Sequence, residues 1–400
     1  MLRPNSLAFT LLLAYLISFG PLSVDLYMPS VPVIGRVLDA PASRLQLTIS
    51  LFLVAFAIGQ IVYGPISDQL GRIPVLLAAF TLFCMASVVC ATAPTVEMLI
   101  LGRIGQGLGA SAGPVVVRAI VRDLHEGVHA GRQLSLMNVF MGLVPIVGPL
   151  SGGLLLTLYG WRSSFVLHSI AGALAVLLIW RGLARTRPID PPSVRELLGQ
   201  YRVIATHPIF LANLAIGCLA YSGLYAWVAG SAFVMQNVLG LTPLQFSILY
   251  AASSAGFMAG GAISTRIVMR LGLDRTAGIG AVVVTLASAG MIAAVLFGSW
   301  LSLTLTVSMA VYLCGMGIVF PQSTAAGLTP FPKYAGVASA LIGFSQQCSG
   351  ALMGTAVGYS LGTTAWPVAI GLSVAGVGSL LMWVLTRKIR TASVNSASVG

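Results

Sequence analysis

The sequence predicts an all-α integral membrane protein in which twelve transmembrane helices form two pseudo-symmetric six-helix bundles. Three observations predict it, and the first is composition. Of 400 residues, 57% are hydrophobic and 8% are charged, whereas about 25% are charged in ordinary globular domains. Such a chain cannot cover itself with a normal water-facing surface, which excludes a typical soluble enzyme and a disordered protein. The other two observations are long apolar stretches and a one-sided distribution of basic residues.

Twelve stretches are long and apolar enough to cross a bilayer as helices, which takes about 20 residues each. Their apolar runs are continuous rather than alternating, which favours helices over barrel strands. The predicted spans are 7–29, 45–64, 74–93, 97–119, 131–157, 161–182, 209–235, 244–265, 276–297, 300–322, 334–358 and 365–387. The first is interpreted as an uncleaved span rather than a signal peptide, because no convincing small-residue cleavage site accompanies it.

A long polar break rich in proline and arginine divides the spans six and six, as a linker between two halves would. The expected parts are an N-terminal six-helix bundle at 1–182, a cytoplasmic linker at 183–208, a C-terminal six-helix bundle at 209–390 and a disordered cytoplasmic tail at 391–400. The two halves also share landmarks at an offset of 205 residues. These are Gly131 and Gly336, Trp161 and Trp366, and Gly153 and Gly358. Repeated six-helix halves are typical of transporters that rock about a central site.

The basic residues indicate how the spans are oriented. If the N-terminus is cytoplasmic and the spans alternate, 17 of the 21 lysines and arginines fall on the cytoplasmic side, and Arg103 lies within a span. This bias is the positive-inside pattern of membrane proteins. Both termini are therefore expected in the cytoplasm. The net charge of +12 reflects topology, and no nucleic-acid partner is expected.

A GxxxDxxGR pattern separates spans two and three. Its defining residues are Gly64, Asp68, Gly71 and Arg72. The glycines allow a tight cytoplasmic turn. Asp68 can lie at a helix end, or it can pair with Arg72 or a nearby arginine and so hold neighbouring helices together. The alternative is a simple loop that carries positive-inside charge.

Span four contains Arg103, Gln106 and Gly107 in the run GRIGQGLG. An arginine inside an apolar helix is costly and needs a partner, and the glycines of this run let another helix approach closely. The alternative is an arginine whose long side chain snorkels to the membrane face.

Span five is interrupted by prolines and glycines. The residues that define this run are Pro145, Gly148, Pro149, Gly152 and Gly153. Prolines weaken and kink a helix, and small residues at short intervals suit close packing against the other half. An ordinary small-residue packing face is the alternative.

Asp25, in the run DLYMPSVP of span one, is the one carboxylate that clearly lies inside a predicted span. The acids expected in loops are Asp39, Asp68, Asp123, Glu126, Asp190, Glu196 and Asp274. An intramembrane acid indicates a functional site, although a helix-end residue ahead of Pro29 is the alternative. Desolvation favours the protonated form of Asp25, and a nearby Arg103 favours the ionised form. We therefore expect these two residues to carry proton coupling.

Polar and aromatic residues at plausible depth in the spans are candidates for cargo contact. They are Tyr27, Asn138, Met141, Tyr221, Tyr225, Gln346 and Gln347. Apolar pockets with a few placed polar groups suit drug-sized ligands, whereas ordinary packing or an interfacial aromatic belt is the alternative for each residue. A single buried acid favours neutral or weakly charged cargo, with cations still possible. His168 in span six is interpreted as a hydrogen-bonded packing residue, with a proton relay as the alternative.

These patterns resemble the major facilitator superfamily over the whole chain. GxxxDxxGR after span two, RxxQGxG in span four and GxxxxxGPxxGG in span five are similar to its drug:proton antiporter motifs, and the last is associated with exporters. DLYMPSVP and the Thr364-Ala-Trp366-Pro367-Val start of span twelve look like the bicyclomycin-resistance and chloramphenicol/florfenicol (Bcr/CflA) branch. Gln69 and Ile73 depart from the family, which often has basic residues there, and the second-half copy of the loop around Gly261 is degenerate.

The resemblance implies a proton-coupled antiporter of the bacterial inner membrane that exports drug-sized apolar compounds, phenicol- or bicyclomycin-like, by alternating access. An exporter of an endogenous metabolite on the same scaffold is the alternative. The expected partners are a small-molecule drug, protons and the lipid bilayer, with a monomeric chain, no cofactor and no metal. An enzyme is not expected, because the spans lack clustered nucleophiles, acid pairs or metal ligands.

Overall fold

The structure is a computed structural model that describes residues 6–124, 127–183, 194–298, 301–331 and 334–390. Within these ranges the chain is almost entirely helical and contains no strand. The helices are α1 Leu7–Asp25, α2 Val31–Val37, α3 Ala42–Leu70, α4 Arg72–Thr92, α5 Val96–Leu124, α6 Gly127–Tyr159, α7 Arg162–Gly182, α8 Val194–Ala205, α9 Pro208–Phe233, α10 Pro243–Phe297, α11 Leu301–Leu328, α12 Ala335–Ser360 and α13 Trp366–Leu385.

The twelve-span architecture predicted from the sequence is confirmed. By length and composition, ten helical segments of the described chain are apolar enough to cross a membrane, with Leu7–Val37 counted as one segment. Helix α10 has 55 residues and contains two of the predicted spans, which meet at Gly272. Helix α12 has 26 residues, or about 39 Å at 1.5 Å per residue, which is long enough to span although it is rich in glycine, serine and glutamine. These two helices account for the remaining spans.

Two glycines form matching turns in the two halves of the chain. Gly71, between α3 and α4, has φ 94° and ψ 154°, and Gly272, inside α10, has φ 74° and ψ 173°. Residues with a Cβ rarely adopt this backbone conformation, because it brings the Cβ against the carbonyl group. The second-half turn therefore lies at Gly272, while Gly261 lies within the helix that precedes it.

The contacts divide the chain into two compact units, Met1–Val194 with Leu241–Ile248, and Arg195–Gly240 with Leu249–Gly400. In the first unit, α5 packs against α3 and α4, α4 packs against α7, and α1 packs against α6. Aromatic rings fill the space near α1, where Phe19 makes edge contacts with both Phe80 and Phe83 at centroid distances of 4.9 Å. Close packing of this kind, rather than exclusion of water, holds helices together in lipid.

In the second unit, α9 is the central element and packs against α11, α12 and α13. Helix α8 lies in the region predicted as a linker, and its Ile204 is completely buried. The residues around Ile204 form one apolar cluster, which consists of Phe210, Phe331, Ala338 and Ile342. The region 183–208 therefore contains a helix attached to the second unit, although residues 184–193 lie outside the described part of the chain.

Several acidic residues expected in loops lie in helices instead, which corrects the sequence-based assignment. Asp68 lies in α3, Asp123 in α5, Glu196 in α8 and Asp274 in α10. The reason is length, because α3 and α5 have 29 residues each, about 44 Å, and extend beyond a hydrocarbon core of about 30 Å. Their charged last turns can thus remain helical outside the apolar layer. Asp39 lies in a turn, and Glu126 and Asp190 lie outside the described residues.

Candidate functional site

Arg103 lies in the interior of the first unit, where its side chain is completely buried. Its Nη1 donates to the Ser23 carbonyl oxygen at 3.0 Å and to Gln106 Oε1 at 2.9 Å. Its Nε donates to the Thr48 carbonyl oxygen at 3.2 Å. Acceptors from α1, α3 and α5 therefore meet at one guanidinium, as a cation buried in an apolar protein requires. Because the side chain ends inside the protein, the snorkelling alternative does not apply.

Two aromatic rings complete the surroundings of Arg103. The guanidinium carbon lies 4.8 Å from the ring centre of Tyr27 and 4.3 Å from that of Phe52. The Tyr27 hydroxyl is hydrogen-bonded to Thr48 Oγ1 at 2.8 Å, and Gln106 donates from Nε2 to Ser87 Oγ at 2.8 Å. Desolvated cation–π contacts strengthen the hold on the guanidinium. The side chain is therefore held by α1, α3, α5 and the turn after α1, while α4 orients its partner Gln106.

Asp25 is the last residue of α1, with 7% of its surface exposed. It follows Ser23, whose carbonyl binds Arg103, by two residues. A Cβ placed on Gly148 of α6 would lie 2.8 Å from the Asp25 Cβ, and one on Gly152 would overlap the Leu26 carbonyl oxygen. The end of α1 therefore packs directly against Gly148 and Gly152 of α6, and this close contact is possible because glycines have no side chain.

The remaining residues of the α6 run also pack in the interior. Pro149 and Gly153 are buried, and Pro145 is half-buried. On α5, Gly107 lies against the Phe52 carbonyl oxygen, which a Cβ at this position would overlap. The glycines of both motifs therefore allow close backbone contact within the first unit. Packing of the α6 run against the other half stays a prediction.

The GxxxDxxGR residues form an ion-pair cluster at the ends of α3, α4 and α5. The expected pair of Arg72 with Asp68 is present. Arg72 also pairs through Nε with Asp123 at 3.0 Å and donates from Nη1 to Ser67 Oγ at 2.7 Å. Arg72 is 2% exposed, so this cation is shielded from water and joins three helix ends. Gly71 supplies the turn, and Gly64 lies on α3 with room around it.

Three of the four cargo candidates of the second unit, Tyr221, Tyr225 and Gln347, form one cluster on α9 and α12. The Tyr221 hydroxyl donates to Gln347 Oε1 at 2.6 Å, and its oxygen lies 3.5 Å from the Tyr225 hydroxyl. Phe320 of α11 stacks on Tyr221 with ring centres 5.8 Å apart. Gln346 lies beside Gln347, and each is 8% exposed. The sequence indicated these residues individually, while Phe320 was missed because an apolar span contains many equivalent phenylalanines.

The cargo candidates of the first unit are not gathered in the same way. Tyr27 is completely buried against Arg103 and Thr48. Met141 is half-buried on α6. Asn138 also lies on α6, but its side chain is outside the described part of the structure. His168 is buried among rings and lies 5.9 Å from Phe83 and 6.3 Å from Phe165 by ring centres.

A further ion pair joins α10 to the segment that follows α13, and sequence reasoning missed it. Arg390 donates from Nε to Asp274 Oδ1 at 2.7 Å and from Nη2 to the Trp383 carbonyl oxygen at 2.6 Å. The Trp383 indole nitrogen donates to the Asp274 carbonyl oxygen at 3.0 Å. The two ionised residues are 116 positions apart, so no local spacing indicates the pair.

The sequence profile of the Major Facilitator Superfamily matches residues 8–355. The chain belongs to the Major Facilitator Superfamily. It is therefore a multi-pass membrane transporter rather than an enzyme. Solved transporters of similar fold include a D-xylose–proton symporter, with a TM-score of 0.75, 16% identity and coverage of 95% of this chain and 97% of that one. A peptide transporter crystallised with sulfate has a TM-score of 0.78, 12% identity and coverage of 98% and 96%.

Relatives in this superfamily match the chain over nearly its whole length. An uncharacterized MFS-type transporter of Bacillus subtilis, YdgK, is 34% identical over 391 residues, which cover 96% of each chain. Multidrug resistance protein D of Escherichia coli is 28% identical, with coverage of 96% of this chain and 97% of that protein. Multidrug resistance protein MdtL of Escherichia fergusonii is 30% identical, with coverage of 94% and 93%.

Proposed function

We propose that this transporter is a proton-coupled multidrug efflux antiporter of the Bcr/CflA type in the bacterial inner membrane. Its cargo would be drug-sized apolar compounds, phenicol- or bicyclomycin-like. Two relatives named as multidrug resistance proteins support drug export. The observation that carries the proposal is the fixed, fully buried Arg103, which binds the backbone of α1 two residues before the intramembrane Asp25.

The proposed cycle uses Asp25 as the proton carrier. In the outward-open state its carboxylate takes up a proton and becomes neutral, and in the inward-open state the proton leaves to the cytoplasm as cargo binds. Arg103 stays charged throughout and stabilises the ionised carboxylate more than the neutral acid. Proton and cargo thus favour opposite orientations of the two halves, which is the requirement for exchange transport.

The α6 glycines have a defined part in this cycle. They bring the end of α1, and hence the backbone of Asp25, into close contact with α6. A carboxylate that must bind and release a proton once per cycle needs a constant electrostatic environment in each state. The ion-pair cluster around Arg72 would hold α3, α4 and α5 together at the cytoplasmic face while the unit moves as a body.

The test compares Asp25→Asn with Asp39→Asn in proteoliposomes of purified protein. Asn cannot carry a proton, so we expect Asp25→Asn to abolish substrate-induced collapse of a pH gradient while its melting temperature and its exchange of labelled for unlabelled substrate are retained. Asp39 is an exposed carboxylate in a turn, so its variant serves as the matched control and should transport as the wild type does.

Export driven by a proton gradient at the wild-type rate in Asp25→Asn would contradict the assignment of the proton carrier. If the protein exchanges protons for an endogenous metabolite but not for phenicols or bicyclomycin, the metabolite alternative is correct and drug export is wrong. Testing both cargo sets in an efflux-deficient bacterium separates these outcomes.

A further inference from the structure

Four helices of the second unit carry no charged residue along their whole lengths, and three of them contribute the aromatic and glutamine side chains discussed below. These three helices, α9, α11 and α12, contain 26, 28 and 26 residues, and their sequences include no aspartate, glutamate, lysine or arginine. The first unit, by contrast, buries Asp25, Arg72 and Arg103. Ionisable groups inside a membrane protein mark ion and proton pathways. Because these three helices contain no acidic or basic side chain, their tyrosines and glutamines are candidates for cargo contact rather than for proton transfer.

Those polar side chains meet near the middle of the helices. Tyr221 and Tyr225 of α9 lie with ring centres 5.3 Å apart, and Phe320 stacks on Tyr221 with ring centres 5.8 Å apart. Gly350 of α12 leaves room for the Tyr225 ring, because a Cβ at position 350 would lie 2.5 Å from that ring. Tyr221 and Phe320 are half-buried, so the aromatic cluster keeps an accessible edge.

Gln347 has more hydrogen-bonding capacity than its surroundings use. Its amide has an oxygen and an NH₂ group, and only the contact with the Tyr221 hydroxyl is made among the described residues. Whichever amide atom faces Tyr221, the other one is left over. Gln347 is 92% buried, as its exposure is 8%. The spare amide atom does not belong to the fully buried side-chain atoms without a partner, so it keeps some exposure, and a ligand that reaches it gains a hydrogen bond.

We propose that Tyr221, Phe320 and Gln347 form an uncharged cargo subsite that selects neutral aromatic compounds over cations. An aromatic part of the cargo packs on the accessible edge of the Tyr221 and Phe320 rings. A carbonyl, hydroxyl or amide group of the cargo binds the spare amide group of Gln347. This inference rests on the proposed function and deepens it, because it assigns cargo selection to the second unit and proton coupling to the first.

The test measures equilibrium binding to the purified full-length chain without a proton gradient. The probes are chloramphenicol, which is neutral and aromatic with amide and hydroxyl groups, and tetraphenylphosphonium, which is a cation. We expect Gln347→Leu to weaken chloramphenicol binding about tenfold, the effect of one lost hydrogen bond, and to change the binding of the cation less than twofold. Gln347→Glu should strengthen binding of the cation about tenfold, because it places a carboxylate in the subsite.

Two further variants keep the test independent of folding. Tyr221→Phe retains the ring stack and removes only the hydroxyl that orients Gln347, so it should weaken chloramphenicol binding several-fold at an unchanged melting temperature. Asn213→Leu is the matched control, because Asn213 lies on the same helix and its side chain donates only to the Ile209 carbonyl oxygen at 2.9 Å. It should bind both probes as the wild type does.

Equal binding of chloramphenicol by the wild type and Gln347→Leu would overturn the inference, as would a wild type that binds the cation but not chloramphenicol. Equal losses for both probes in Tyr221→Phe would also overturn it. If the subsite selects as described but transport does not consume a proton gradient, the subsite stands and the antiport mechanism fails. The two proposals therefore fail in different measurements.

Discussion

At the scale of single residues, Arg103 shows how one cation can be both buried and fixed. Its guanidinium binds two backbone carbonyls and Gln106, and it faces two aromatic rings. A lysine ammonium has the same charge, but it is a compact donor that cannot reproduce the planar fork or the stacking. The charge and the shape of this side chain can therefore be tested separately.

Arg103→Lys should lower the free energy of unfolding by about 2 kcal/mol, since at least one charge-assisted hydrogen bond is lost, and should reduce proton-driven transport. The measurements are a melting curve in detergent and transport in proteoliposomes. Arg36→Lys is the control, because Arg36 is exposed in the last turn of α2. A stable, fully active Arg103→Lys would mean that only the positive charge matters.

The sequence could single out Asp25 and Arg103 because charges are rare in apolar spans, and both are buried in the structure. It could suggest Gln106 as a partner of Arg103, since the two lie one helical turn apart. It could not indicate Thr48 or Phe52, which lie on another helix, because helix rotation and depth are set by packing. For the same reason Tyr27, a cargo candidate by composition, lies completely buried beside Arg103.

At the scale of secondary structure, the contact between α6 and the end of α1 depends on missing side chains. Gly148 and Gly152 lie one turn apart on α6, and both meet the backbone of Asp25 or Leu26. A single added methyl group would push α1 away from α6, because protein interiors have no room for it.

Gly152→Ala should lower the free energy of unfolding by about 1–3 kcal/mol and slow transport, as measured by thermal denaturation and by substrate-induced pH-gradient collapse. Gly261→Ala is the matched control, because Gly261 also lies in a helix but has open space at its Cβ position. It should be neutral or slightly stabilising, since alanine favours helix over glycine. A destabilised Gly261→Ala with an unaffected Gly152→Ala would refute the packing argument.

The sequence located nearly every helix because apolar length is a strong signal, but it placed helix ends less well. Charged residues at 68, 123 and 274 were expected in loops, although the helices continue past the apolar segment. Helix α8 was missed inside the expected linker, since a helix of 12 residues is too short to give a membrane-span signal.

At the scale of the whole molecule, the distribution of charge predicts the orientation of the chain. With both termini in the cytoplasm, the turn at Asp39 is outside and α8 is inside. This orientation follows from 17 of 21 basic residues on one side and from the preference of such residues for the cytoplasm.

Cysteine labelling in intact cells tests this orientation. In a version of the chain whose five native cysteines are replaced by serine, an impermeant maleimide should label Asp39→Cys in whole cells. It should label Arg202→Cys only after the membrane is permeabilised, because Arg202 is exposed on α8. The opposite labelling pattern would reverse the topology, and labelling of both in whole cells would contradict the span count between them.

The pair of turns at Gly71 and Gly272 has a consequence for the evolvability of the fold. Beside the first turn, Arg72 forms ion pairs with acids at two helix ends. Beside the second turn, the charged residue is an acid, Asp274, and it pairs with Arg390 from a distant part of the chain. The sign of the residue at the turn is thus exchanged while the backbone path is kept. If two halves of a chain descend from one duplicated segment, the ion pair beside the turn can be formed by different residues in each half, provided that the glycine of the turn is kept. A search for a charged motif would overlook such a copy, whereas a search for the left-handed glycine would find it.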